Sequence, residues 1–192
     1  GKKDKDDLRT TIESILYRDI TALYGIRNPA ILKNLYELLA DCTTTPVGTT
    51  NLEKTLGLAA ETAIAYLQYL QDAYVLHALP LWSDSRKKTK STNPKYYLCD
   101  LGVLDAFALH PRVGHLSETA VILHTHRLMS HGTVKRIGYQ VLEGGEVDLV
   151  VDKRKYEVKT SGDTNKIDSD VIYITRDNLW KFLSDETCNL LP

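Results

Sequence analysis

Over residues 8–24 the apolar positions Leu8, Ile12, Ile15, Leu16, Ile20, Leu23 and Tyr24 recur at helical spacing, and Gly25 supplies the stop. Asn28 before Pro29 has the form of an N-cap with proline at the first helical position. Ile31, Leu32, Leu35, Leu38 and Leu39 then line one face up to about Asp41. After the polar turn TTTPVGTT, Thr50 caps a short helix through Leu56 and Gly57 breaks it. A longer helix is expected over 60–74 with Ile64, Leu67, Leu70 and Tyr74 inward. Two strand-like segments, 75–82 and 96–99, flank the polar stretch SDSRKKTKSTNPK. Three helices and a two-stranded hairpin predict a winged helix-turn-helix.

The pattern changes near Asp100. A helix over 116–129 precedes strand candidates at 134–139, 147–151 and 156–159. A polar connection from Thr160 to Asp170 leads to a last strand at 171–175 and a short helix at 179–183. The expected class is α+β: a helical winged helix-turn-helix domain, then a small α/β domain.

Charge refines this picture. With 24 Lys+Arg against 25 Asp+Glu the net charge is −1, so bulk attraction for nucleic acid is excluded and any contact must be local. The local excess is Arg86, Lys87, Lys88, Lys90 and Lys95 in the wing, the candidate DNA-contacting residues. Their composition predicts a mobile loop. The helix expected to enter a groove, 60–74, has no Lys or Arg, and its outward residues Glu61, Thr62, Gln68, Gln71 and Asp72 suit phosphate poorly. No apolar run approaches the roughly 18 residues of a membrane span, and no basic-then-apolar leader is present, so a soluble cytoplasmic protein is expected. Cys42, Cys99 and Cys188 show no CxxC spacing and read as reduced thiols. The chain starts at Gly1 without an initiator Met, and the expectation is that it is a piece of something longer.

Candidate chemistry concentrates in VDLVVDKRKYEVKT, residues 147–160. With residues 152–155 as a four-residue hairpin loop, Val151 pairs with Tyr156, Val150 with Glu157 and Asp148 with Lys159. Alternation then sets Asp148, Val150, Glu157 and Lys159 on one face. Asp148 and Glu157 become diagonal neighbours, roughly 7–8 Å apart or somewhat less. Two hard carboxylates suit Mg²⁺, which lowers the pKa of a bound water and offsets phosphate charge, while a lysine beside them orients the water or stabilises developing negative charge. Glu118, on the preceding helix, is the candidate third carboxylate. The plain alternative is a cross-strand Asp148 to Lys159 ion pair on an exposed sheet face. His124 and His126, two apart on a helix, do not share a face as a metal pair would. Trp82 and Trp180 read as packing anchors.

Several stretches together carry a family resemblance: ILYRDI, YGIRNPAILKNLYELLA, TNLEKTLGLAAETAIAYLQYLQDAYVLHALP, KYYLCDLGVLDAF, HLSETAVIL, GGEVDLVV, YEVKT and LWKFL. In this order they resemble the C-terminal region of prokaryotic AAA-type ATPases, in which a P-loop ATPase precedes a winged helix and a PD-(D/E)XK nuclease-like (restriction-endonuclease-like) domain. The resemblance implies an N-terminal linking helix at 1–27, a winged helix at 28–100 and the nuclease-like domain at 101–192. It casts Glu118 as the helix carboxylate, Asp148 as the second-strand carboxylate and Glu157 with Lys159 as the acid-x-Lys pair, with Mg²⁺ as cofactor. Thr119 and His124 depart from the family's Asn and second Glu, and the connection from Thr160 to Asp170 is short for the family's helix. No GxxxxGK[ST] occurs, so the resemblance puts ATP binding in a domain upstream of Gly1 and none in this chain. Two functions are expected in turn: a Mg²⁺-dependent nuclease acting on DNA, or an inactive DNA- or protein-binding regulatory tail of the ATPase.

Overall fold

The computed structural model describes residues 2–143, 145–160 and 169–186. The opening amphipathic run is helical throughout: α1 (Lys2–Ser14), a π-helical stretch over Ile15–Ile20, and α2 (Thr21–Tyr24). Gly25, at φ 63°, ends it in the left-handed conformation that glycine adopts without a Cβ clash. In the wide turns the Thr21 hydroxyl donates to the Leu16 carbonyl five residues back, at 2.8 Å. α3 (Pro29–Asp41) begins with proline at its first turn, although the Asn28 side chain makes no capping bond, and it buries Leu32, Leu35, Tyr36 and Leu39. α4 (Thr49–Leu56) starts two residues earlier than expected, with Gly48 instead of Thr50 at the cap position.

α5 (Ala60–Asp72) buries Ala63, Leu67 and Leu70, an i, i+4, i+7 row. Ile64 is therefore turned off the core, 55% exposed. Tyr74, past the helix end at φ 57°, is 79% exposed, so neither is the inward residue expected. β1 (Leu76–Leu79) and β2 (Lys95–Leu98) form a two-stranded sheet. Between them lies α6 (Arg86–Ser91), where a mobile loop was expected. The Ser85 hydroxyl accepts from the Lys88 amide at 3.3 Å, capping a run of good helix formers.

A further short helix, α7 (Leu101–Phe107), follows Asp100, whose carboxylate takes the Gly102 and Val103 amides at 2.7 and 3.1 Å. Its buried Val103, Leu104 and Phe107 pack toward α1. Arg9 of α1 lies 4.7 Å over the Phe107 ring and donates to Glu37 and to the Ala106 carbonyl. A Cβ at Gly102 would sit 2.9 Å from Leu8, so glycine lets the two helices approach.

The contacts divide the chain into two compact units, Gly1–Ala78 with Lys95–Pro111 and Leu79–Pro94 with Arg112–Pro192. In the second unit α8 (Val113–Ser130) precedes β3 (Ile137–Leu142), β4 (Gly145–Val151), β5 (Arg154–Lys159) and β6 (Val171–Thr175), and α9 (Leu179–Ser184) follows. The sheet order is β3-β4-β5-β6, antiparallel except for the parallel β5 and β6 pair. α8 packs on β4, β5 and α9, and Tyr156 meets Phe182 edge to face. Trp180, expected to anchor packing, is instead 64% exposed. The outer edge of β3 is covered by residues 80–82: Tyr139 donates to the Pro80 carbonyl and Trp82 to the Tyr139 carbonyl. The fold class is thus α+β, with two small sheets. Among the described residues no helix is long and apolar enough to cross a membrane. Cys42 and Cys99 are free thiols whose pKa values burial pushes up, while Cys188 and most of the connection before β6 lie outside the described residues.

The β4–β5 hairpin turns on two residues, Asp152 and Lys153, both at positive φ (46° and 92°). Asp152 is held there by accepting from the Lys135 and Arg136 amides at 3.2 and 2.9 Å. Lys153 bears the left-handed conformation with a Cβ. Lys153→Gly is therefore expected to stabilise the second unit by about 1 kcal/mol in urea melts, whereas Lys153→Val should destabilise it.

Candidate active site

Pairing of β4 with β5 runs Val151 to Arg154, Val150 to Lys155 and Leu149 to Tyr156, a two-residue shift from the register expected of a four-residue loop. A shift of two keeps Glu157 and Lys159 on their expected face. Continued by one residue, it sets Asp148 directly across from Glu157 instead of on a diagonal. β4 also bulges: residues 148 and 149 together oppose Tyr139, which interrupts the alternation assumed between Asp148 and Val150.

At this point side chains bridge the two strands. The Asp148 amide donates to Glu157 Oε2 at 3.3 Å, and the Val158 amide donates to Asp148 Oδ2 at 2.9 Å. Lys159 Nζ sits 2.7 Å from Glu157 Oε1. Glu157 is buried, 5% exposed, and Lys159 is partly exposed. The hydrogen bond to Glu157 raises the Lys159 pKa above its ordinary value. Desolvation opposes the shift, and the charges of Glu157 and Asp148 add to it. Asp148 and Glu157 bring two carboxylates together here, with Lys159 on one of them. Their oxygens are hard donors, and Mg²⁺ is commonly held by one or two carboxylates with water completing its shell. Among the described residues no group of three or more His, Cys, Asp or Glu is arranged to hold a metal ion.

Glu118, the candidate third carboxylate, is buried on α8. His124, two turns further along α8, is committed to α9. Its Nδ1 accepts from Arg127 at 3.2 Å, so Nε2 carries the proton and donates to the Asp185 carbonyl at 2.9 Å. Burial lowers its pKa, Arg127 lowers it further, and Asp185 and Glu186 partly oppose the shift. A lowered value in the fold means stability present above about pH 6.5 that is lost as pH falls through the folded-state value. His77 and His115 are also held low by burial. The His124 share is therefore read as a difference: His124→Gln should show a shallower loss of stability between pH 7.5 and 5.5 than the wild-type chain in paired urea titrations.

Of the candidate DNA-contacting residues, Arg86, Lys87 and Lys88 are exposed on α6. Lys95 is not on the surface: it is 1% exposed on β2, where its backbone bridges to Pro46. The side chain of Lys90 lies outside the described residues. Not anticipated from the sequence is a cleft of about 410 Å³ beside Lys159 that also takes in Ser117, Thr175 and Arg176. Its signal in the sequence is weak, a Thr-Arg step directly after an apolar strand.

The family model described as Domain of unknown function (DUF8612) matches residues 1–112. The chain belongs to this family. The DUF8612 match ends one residue before α8 begins, so it contains neither the carboxylate pair nor Lys159. No curated protein and no solved structure matches the chain.

Proposed function

We propose that the second unit hydrolyses phosphodiester bonds in DNA with the aid of Mg²⁺. In this reading it is a PD-(D/E)XK-like module that follows a winged helix at the C-terminal end of an AAA-type ATPase. The observation that carries the reading is the juxtaposition of Asp148 and Glu157 across β4 and β5, with Lys159 on Glu157. Asp148 and Glu157 would hold the ion, and Glu118 is the remaining candidate ligand. Bound there, Mg²⁺ would supply an acidified water and offset charge on the scissile phosphate.

The protein's own groups do the rest. The Val158 amide fixes the Asp148 carboxylate, and the Asp148 amide fixes that of Glu157, so both are oriented before any ligand arrives. Lys159, its pKa raised, stays protonated at neutral pH; it acts as a positive charge toward phosphate and does not serve as a general base. Arg86, Lys87 and Lys88 are the accessory contacts to the DNA backbone, giving salt-sensitive affinity. ATP belongs to the upstream domain alone.

The same hydrogen bonds favour a second reading, an inactive DNA- or protein-binding regulatory module of that ATPase, because closing the two strands is a structural duty in itself. Calorimetric titration with Mn²⁺ separates the two. The hydrolytic reading expects one ion per chain, with affinity reduced about tenfold or more in Asp148→Asn as one charged ligand is lost. Absence of metal uptake rejects it.

A further inference from the structure

The cleft beside Lys159 lies where β5 and β6 end side by side, Lys159 pairing with Thr175 as the last residue of each strand. The carboxyl ends of neighbouring parallel strands leave a crevice that ligands commonly occupy. Its volume, about 410 Å³, lies in the range of small-ligand pockets. The walls divide by chemistry. Val113, Ile174 and Leu179 offer apolar surface, while Lys159 and Arg176 bring positive charge.

The two cations are not equivalent. Lys159 shares its charge with Glu157 at 2.7 Å, whereas among the described residues the Arg176 guanidinium has no acidic partner. An exposed guanidinium can grip two phosphate oxygens at once through its planar fork.

We infer that this cleft binds a nucleoside monophosphate, with its phosphate on Arg176 and Lys159 and its sugar and base against Val113, Ile174 and Leu179. The choice of a nucleotide as the phosphate ester rests on the phosphodiester reading of the adjoining carboxylates; the volume, the apolar wall and the cations do not. Such a unit reaches the cleft either as a free mononucleotide or as the 5′-phosphorylated end of a strand.

The test is calorimetry on the whole chain in low salt without divalent metal, using thymidine 5′-monophosphate, thymidine, inorganic phosphate, and a short thymidine oligonucleotide with and without a 5′-phosphate. Thymidine 5′-monophosphate should bind one per chain, about tenfold or more tighter than thymidine or phosphate alone. Arg176→Gln, at an exposed position, should remove about tenfold or more of that affinity and leave weak thymidine binding unchanged. Binding of the phosphorylated oligonucleotide as tightly as the monophosphate identifies the strand end as the source. Binding of the monophosphate alone identifies the free nucleotide. Monophosphate binding no tighter than inorganic phosphate, or insensitive to Arg176→Gln, overturns the inference. Cleavage of DNA without monophosphate binding removes the cleft inference and keeps the hydrolytic reading; monophosphate binding without cleavage does the reverse.

Discussion

Replacing Gly138 with alanine is expected to destabilise the second unit by about 2–4 kcal/mol, the sum of overpacking and of two weakened hydrogen bonds. A Cβ at this position would stand 2.8 Å from the Pro80 carbonyl oxygen and 3.0 Å from the Trp82 amide nitrogen. Both are backbone atoms already engaged with Tyr139, at 3.0 and 2.6 Å, so they cannot retreat without giving up the bonds that cover the edge of β3. Arg136 adds to this tether, lying 4.1 Å over the Trp82 ring and donating to the Ser83 carbonyl at 2.6 Å. The readout is specific, because both tryptophans, Trp82 and Trp180, belong to the second unit. Urea melts followed by tryptophan fluorescence should show a much earlier transition in Gly138→Ala. A shift below about 0.5 kcal/mol, the level of an ordinary surface change, contradicts the assigned role of residues 80–82.

Helices α3 and α5 and strands β4 to β6 were largely legible from their apolar periods, whereas β3 lies three residues later than expected, at Ile137–Leu142 in place of 134–139. The last strand, Val171–Thr175, matches its expected bounds. Structure and sequence pattern part where the deciding contact is remote from the segment itself. The β4–β5 register was missed because a two-residue turn normally advertises itself with glycine. Here Asp152 and Lys153 adopt positive φ while Asp152 is tied to the Lys135 and Arg136 amides, far away in sequence. The bulge at Asp148 leaves no mark in the local pattern. α6 was hidden by its charge, and α7 by its short length, although Asp100 followed by Val103, Leu104 and Phe107 carries both a cap and a buried face. Burial of Lys95 depends on packing that its neighbours in the wing do not reveal. The register error was an even number of residues, so Glu157 and Lys159 kept their shared face and Asp148 still arrived beside them.

The largest functional effect is expected at Lys159. Its ammonium is held on Glu157, where removal deletes a positive charge 2.7 Å from that carboxylate while the backbone hydrogen bonds that orient Asp148 and Glu157 remain. Loss of one such preorganised electrostatic contact costs about 10²–10³ in rate. Lys159→Ala should therefore cleave DNA at least about 100-fold more slowly than the wild-type chain at saturating Mg²⁺, with metal affinity little changed. Lys159→Arg should recover part of the rate, since charge is restored at an altered position.

The most direct measurement is a cleavage assay of the purified chain on single- and double-stranded DNA with Mg²⁺ or Mn²⁺, run beside Lys159→Ala and Asp148→Asn. Metal-dependent cleavage that falls about 100-fold or more in both variants is the expected result. Absence of cleavage by the wild-type chain, or equal cleavage by all three proteins, contradicts it.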